Sequence, residues 1–420
     1  MAQAVPARLD AHFGVDPTVT GRAPARSTAA GLEDIRIAVY EDMAAIEQDW
    51  RTFEPQADCT VFQSFDWLST WQRHIGARYG VRPALVVAYD AGGAILCVLP
   101  LAVCSAGLAR ELTWLGSELC DYNAPLLAPG FSERLDRARF LALWTEITKL
   151  VQANPRLHYD TIILTKMPEK VGVQANPMRH LGGTINPSGA YLTHLSGDWE
   201  TFYSAKRSSA TRRRDRTKRK KLSEMGKVRY VEPAAGAETL QTLDTLMAQK
   251  ARSFAHMGVA NLFAKPGYAE FYRAIASDPA LRPLVHISRL DVGAIPAAVN
   301  LGLTYRDCYY HLLASYDDGD VSRFGPGAAH LHDLMHQAID RGLRVFDFTI
   351  GDERYKRDWC DTELKLYDYI AAATWRGMLI AMPLMAAKQV KRWIKQTPAV
   401  WNAFSAARAF IGSLAHRFRR

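Results

Sequence analysis

Cys308-Tyr309-Tyr310-His311-Leu312-Leu313-Ala314-Ser315-Tyr316, followed by Ser322-Arg323-Phe324-Gly325-Pro326-Gly327, is the stretch that decides the fold. The first run is aromatic and apolar, as a buried strand is. Asp317-Asp318-Gly319-Asp320 breaks it. After the glycine loop, Leu331, Leu334, Met335, Ala338 and Ile339 fall at i, i+3, i+4, i+7 and i+8, which gives a helix one apolar face. Gly342 stands where a helix stops on a residue of positive φ. Val345-Phe346-Asp347-Phe348 reads as the next strand, and Gly351-Asp352-Glu353-Arg354-Tyr355-Lys356 as a charged loop. Working outward, the unit is strand, glycine loop, helix, strand, polar loop.

A glycine loop feeding a helix has a chemical use. The first helical turn leaves N–H groups without partners at the positive end of the helix dipole. Glycines remove the Cβ atoms that would hold a phosphate away, so the place suits an anion such as a pyrophosphate. Arg323 adds a positive charge at its mouth. A tight turn with no ligand has the same composition. The strand and charged loop downstream favour the ligand site.

The order strand, Arg-x-Gly-x-Gly loop, helix, strand resembles the acyl-CoA-binding unit of the GNAT acyltransferases. More narrowly, Phe324-Gly325-Pro326-Gly327, Asp347-Phe348-Thr349 and Gly351-Asp352-Glu353-Arg354-Tyr355-Lys356 look like the CelD branch. That branch is related to the FemAB aminoacyltransferases and is associated with bacterial polysaccharide biosynthesis. The loop departs from the usual pattern at Pro326, which has no N–H to offer a phosphate. The likeness runs from Ile35 to Ala373. It implies a mixed α/β fold of tandem GNAT-like domains, each a twisted mixed β-sheet flanked by helices. It further implies acyl-CoA, acetyl-CoA foremost, as co-substrate and no metal, with Arg323, Phe324, Gly325 and Gly327 at the cofactor. The acceptor it implies is a sugar, an amine or a polysaccharide precursor.

A chain of 420 residues is too long for one ordinary core, and about two domains are expected. The six cysteines form no C-x-x-C pair and no metal-ligand spacing, and with no secretory signal they read as reduced thiols of a cytosolic protein. The apolar run Ala94 to Ala109 is 16 residues long, contains Pro100, and falls short of the ~20 needed to span a bilayer. A pair of buried strands accounts for it. The net charge of +9 is localised: Ala371 to Arg420 holds nine basic residues and no acidic one, which leaves 43 basic against 43 acidic in the rest. A basic tail on a neutral body points to an anionic surface.

Residues 1–33 are rich in Ala, Pro, Arg, Thr and Gly without a period and read as a disordered leader. Residues 34–188 form a first domain opening with the strand Ile35 to Tyr40. An aromatic helical stretch at Phe62 to Trp71 and a hairpin about Gly92-Gly93 follow. Asp291-x-Gly293-Ala294-Ile295 repeats Asp90-x-x-Gly93-Ala94-Ile95, so residues 189–374 are read as a second copy of the same unit. The first copy shows no strand, glycine loop and helix after its hairpin. It is therefore expected to have lost the cofactor site, keeping Asp121-Tyr122-Asn123 as a substrate contact or a plain Asx turn. Lys206 to Lys221 holds ten basic residues and one acidic. It fits a solvated helix, attraction of an anionic substrate or CoA phosphate, or nucleic acid, although it lacks interleaved aromatics. Residues 375–420 form a basic amphipathic tail. Trp393, Trp401, Phe404, Phe410, Ile411 and Leu414 could lie on a membrane surface or pack on the body.

Acyl transfer from a thioester needs a base, a bound acyl donor and stabilisation of the tetrahedral oxyanion. The base candidates are Asp347, Asp352 and Glu353; Lys356 is a candidate for the oxyanion or a sugar, and Tyr316 for protonating the leaving thiolate. Tyr355 joins Asp121 and Tyr122 as a candidate acceptor contact. His311 reads as a core histidine. Two other readings stay open: a FemAB-like transferase drawing on aminoacyl-tRNA, and a non-catalytic membrane-surface component of polysaccharide synthesis.

Overall fold

The computed structural model describes residues 25–26, 31–107, 109–116 and 118–396; most of the leader and the end of the tail lie outside the described residues, while Ala25–Arg26 of the leader forms a short strand antiparallel to Arg36–Tyr40. Two mixed sheets carry the chain. In the first, Arg36–Tyr40, Arg82–Tyr89, Ile95–Ala106 and Ala109–Trp114 run antiparallel in sequence order, and Thr161–Pro168 lies parallel to the last. In the second, Val228–Val231, Val285–Val292, Ile295–Tyr305 and Cys308–Tyr316 repeat that order, and Val345–Ile350 lies parallel to Cys308–Tyr316. A helix makes each parallel crossover, Arg137–Ala153 in the first half and Pro326–Asp340 in the second.

The repeat read from the two hairpins thus covers a whole unit in each half. Two details differ from the sequence reading. Ala94 to Ala109 is mostly one long strand, Ile95–Ala106, rather than a pair, because no turn residue interrupts it before Gly107. The first half does contain the strand, helix, strand crossover; what it lacks is the glycine loop.

The halves exchange strands. Ala190–His194 follows the first half in the chain but pairs antiparallel with Val345–Ile350 of the second sheet. Leu366–Ala372 follows the second half but pairs with Thr161–Pro168 of the first. Both joints carry a bulge, in which three residue steps of one strand face two of the other. Each bulge holds a non-glycine residue in the left-handed region, Lys166 at φ 57° and Thr349 at φ 59°. A carboxylate takes each freed amide: Asp368 accepts from Lys166 N at 3.0 Å, and Asp347 from Thr349 N at 2.7 Å.

A shared aromatic core locks the halves together. Phe62 and Trp67 of the first half meet Tyr310 and Phe271 of the second, with ring centroids 5.8 and 5.0 Å apart in edge-to-face contacts. The aromatic stretch Phe62 to Trp71 is therefore a packing joint between the halves, its rings buried against helix Tyr268–Ser277 and strand Cys308–Tyr316. In both sheets the parallel pairing lasts three residues and then stops. In the second it ends at Tyr310 opposite Asp347. Beyond that point the strands part, and the opening is where the candidate site lies.

Candidate active site

Asp347 is 4% exposed and stands at the last parallel pair, inside the strand rather than at its end. Tyr122, from the loop after the first half's fourth strand, donates its hydroxyl to both Asp347 oxygens at 2.7 and 2.9 Å. Thr349 N donates to the same carboxylate from the bulge. Burial dominates the electrostatics and pushes the Asp347 carboxyl up to about 7; Tyr122, the Thr349 amide and Lys356 pull the other way, while Asp121 adds to the rise. Asp121 is itself raised by desolvation, against Lys166, Thr349 and Lys356. Residues 225 positions apart thus form one carboxylate centre between the two halves.

Lys356 is buried below this centre. Its Nζ donates to Ile350 O at 2.8 Å and Thr349 O at 3.4 Å and pairs with Glu353 at 3.0 Å. These contacts fix the bulge that presents the Thr349 amide. Gly351 lets the loop turn tightly, since a Cβ there would stand 2.9 Å from Lys356 Nζ. Asp352 is exposed on the same loop and accepts from Gly189 N at 3.4 Å. Tyr355 packs edge-on to His311 and Phe348, with centroids 6.5 and 6.3 Å away. His311 is buried among Phe346, Phe348 and Tyr355, and burial holds its ring neutral, with its pKa pushed down to about 3. Tyr316 is 56% exposed at the lip of the glycine loop, where a Cβ on Gly327 would lie 3.5 Å from its ring.

One ionisable neighbour escaped the sequence reading. Lys250, on helix Ala237–His256, has its pKa lowered by burial, with Glu353 and Lys356 as its charged neighbours. It follows Leu243, Leu246 and Met247 on the apolar face. A lysine at i+7 of such a stripe was the signal to read.

The glycine loop forms the second part of the site. Asp320–Phe324 makes one 3-10 turn, Gly325 takes φ 67°, and Pro326 opens the helix. Arg323 turns away to its own loop, pairing with Asp320 at 2.8 Å. The charge at Gly325 comes from another element. Lys218, on helix Ser209–Met225, brings its Nζ within 3.7 Å of the position a Gly325 Cβ would take.

Between that helix and the loop lies a cavity of about 470 Å³. Arg207, Arg212, Arg216, Lys218 and Arg219 line it against only Glu200 and Asp215, with Phe324 and Gly325 at one end. Its floor is aromatic: Trp199 stacks on Tyr203 at 5.0 Å, and Tyr203 on Trp359 at 5.9 Å. The aromatics missing from the basic run itself are supplied by the helix before it and by Trp359. This cavity has the chemistry for a phosphorylated nucleoside, with cations for phosphate and flat rings for a base. Among the described residues, no group of three or more His, Cys, Asp or Glu side chains is placed to hold a metal ion.

Replacing Tyr122 with Phe removes the hydrogen bond that lowers the Asp347 pKa. The rising limb of activity against pH is then expected to move upward by about half to one unit, read from kcat/KM profiles of the two proteins. An unmoved limb would separate Asp347 from the titration.

Comparison with known proteins agrees with this geometry. Residues 209–357, which hold the glycine loop, Asp347 and part of the cavity lining, match the family model described as an acetyltransferase (GNAT) domain. No curated protein sequence matches the chain. Among solved structures, FemX is similar at a TM-score of 0.53 and 11% identity, over 77% of this chain and 96% of that one. A conserved protein of unknown function from Bacteroides thetaiotaomicron matches at 0.49 and 12% identity, over 80% and 99%. A tandem GNAT protein from the clavulanic acid biosynthesis pathway matches at 0.45 and 11% identity, over 81% and 99%. At 11% identity the FemX likeness speaks for the fold alone. The family match is confined to residues 209–357, which resemble a GNAT acetyltransferase domain and lie within a strand-exchanged chain.

Proposed function

We propose that the protein is an acyl-CoA-dependent N- or O-acyltransferase, using acetyl-CoA or a related thioester, and that its acceptor is an amine or hydroxyl of a sugar or polysaccharide precursor, as in the CelD branch. The observation that carries this reading is Asp347, a buried carboxylate with pKa about 7 between two halves of the fold, beside the parting strands of a GNAT-type domain. In the reaction the acceptor heteroatom attacks the thioester carbonyl and its proton passes to Asp347. The C–S bond breaks, and the CoA thiolate takes a proton from water; Tyr316, six strand residues or about 20 Å beyond the Tyr310–Asp347 pair, stands at the glycine loop rather than at the thioester. A base near neutrality is matched to that transfer.

In this reading the phosphorylated adenosine end of acyl-CoA fills the basic and aromatic cavity, with Phe324 and Gly325 at its pyrophosphate; Gly327 lies one helical residue beyond Pro326, and Arg323 would have to leave Asp320 to join them. Tyr122, Asp121 and Tyr355 wall the acceptor side. Lys356 acts through the bulge it fixes.

A second reading has one observation in its favour. Arg213, Arg214, Lys220 and Lys221 are exposed on the same helix but lie outside the cavity lining, as a polyanion larger than CoA would require. Aminoacyl-tRNA, the donor of FemAB-type transferases, also ends in a phosphorylated adenosine. Calorimetric titration with acetyl-CoA, CoA and total tRNA separates the two. Saturable CoA binding without tRNA binding is expected; tRNA binding without a CoA response would transfer the assignment to the second reading.

A further inference from the structure

Helix Trp375–Gln396 is anchored to the first sheet along one side only. Gly377 packs against the Asp160 backbone where a Cβ would clash, and Thr374 Oγ1 donates to Asp160 Oδ1 at 2.7 Å. Ala381, one turn on, is buried. The opposite side is apolar and open. Trp375, Leu379 and Met382 are 70%, 69% and 62% exposed, and Met378 and Met385 extend the same face at i+3 and i+10. Six of the fourteen large hydrophobic side chains exposed among the described residues stand on this one helix. A face so composed is not ordinary scattered exposure.

Its surroundings identify what covers it. From Ala371 to Arg420 the chain carries nine basic residues and no acidic one, while the remainder is formally neutral. Among the described residues no helix is long and apolar enough to cross a membrane. An apolar strip on a helix within an exclusively cationic segment is the composition of a helix lying in a bilayer interface, its strip among acyl chains and its cations at anionic headgroups. We infer that Trp375–Gln396 docks the protein on an anionic lipid surface through Trp375, Met378, Leu379, Met382 and Met385. The first-sheet anchor holds the body on the aqueous side. This inference is independent of the acyl donor and of the acceptor.

Flotation of the full chain with phosphatidylglycerol–phosphatidylcholine vesicles tests it, beside vesicles of phosphatidylcholine alone. Wild type is expected to float with the anionic vesicles, less so in about 0.5 M NaCl, and to stay behind with the neutral ones. Leu379→Glu with Met382→Glu is expected to cut the partition coefficient about tenfold or more. These side chains are exposed, so the variant keeps the wild-type melting curve by circular dichroism. Equal flotation of the variant would overturn the inference. So would equal binding to neutral vesicles. So would a wild type that ignores vesicles and sediments as a dimer that the two glutamates dissolve, which would make a second copy the occupant.

Discussion

Asp347→Asn is expected to lower turnover by about 10²–10⁴ while leaving acetyl-CoA affinity unchanged and the folded protein more stable. The two effects have one cause. Burial raises the Asp347 carboxyl from an ordinary value to about 7. Between roughly pH 4 and 7 the folded protein therefore holds a proton that the unfolded chain has released. With more protons bound in the folded state, stability falls as pH rises through that window and stays low above it. Asparagine never ionises, so the variant escapes that loss. The gain is on the order of 2–4 kcal/mol at about pH 8 and vanishes below about pH 4. Denaturant melts of both proteins across that range check the sign, and steady-state kinetics check the turnover. A variant as active as wild type would remove Asp347 from proton transfer. A variant less stable at high pH would mean that the Tyr122 and Thr349 hydrogen bonds outweigh the buried charge.

A carboxylate that costs stability is the pattern expected of one kept for chemistry, which is the role proposed for Asp347. Asp368 is the positional counterpart in the first sheet. It sits at the equivalent joint of the first sheet, is equally buried, and accepts from Lys166 N and Asn186 Nδ2. The first half has the bulge and its carboxylate but no glycine loop and no cationic cavity among its described residues.

What could be read from residues alone follows the reach of each interaction. The strand, loop, helix and strand from Cys308 to Ile350 were legible because periodicity and turn chemistry act over a few residues. The repeat was legible because both hairpins kept their turn residues. The strand exchange was not, since Ala190–His194 and Leu366–Ala372 look like any short strands and nothing local names their partners. Asp347 is legible as a base candidate and Tyr122 as a substrate contact, but not the bond between them, because a hydrogen bond across 225 residues leaves no mark on either neighbourhood. Arg323 is legible as a charge beside the loop; that it pairs with its neighbour Asp320, and that Lys218 of a distant helix also reaches Gly325, is not.

Arg216→Glu with Lys218→Glu is expected to raise the Kd for acetyl-CoA about a hundredfold with kcat nearly unchanged at saturation. These two are the informative pair. Arg219 is committed to Asp333 by two hydrogen bonds, at 2.8 and 3.0 Å, and Arg207 lies over Trp359 with Asp358 and Asp215 nearby. Removing either would disturb the fold. Arg216 and Lys218 are exposed and form no ion pair among the described residues, so their charge is available to a ligand and their loss costs little stability. Each reversed residue removes one charge-assisted contact to phosphate and adds a repulsion, and the penalty shrinks in high salt. The result then crosses with that of Asp347→Asn, affinity lost with turnover kept in one protein and turnover lost with affinity kept in the other. If the Kd does not move, the phosphates lie outside the cavity. If reversal of Arg213 and Arg214 instead abolishes tRNA binding, the outward face of the same helix becomes the donor site.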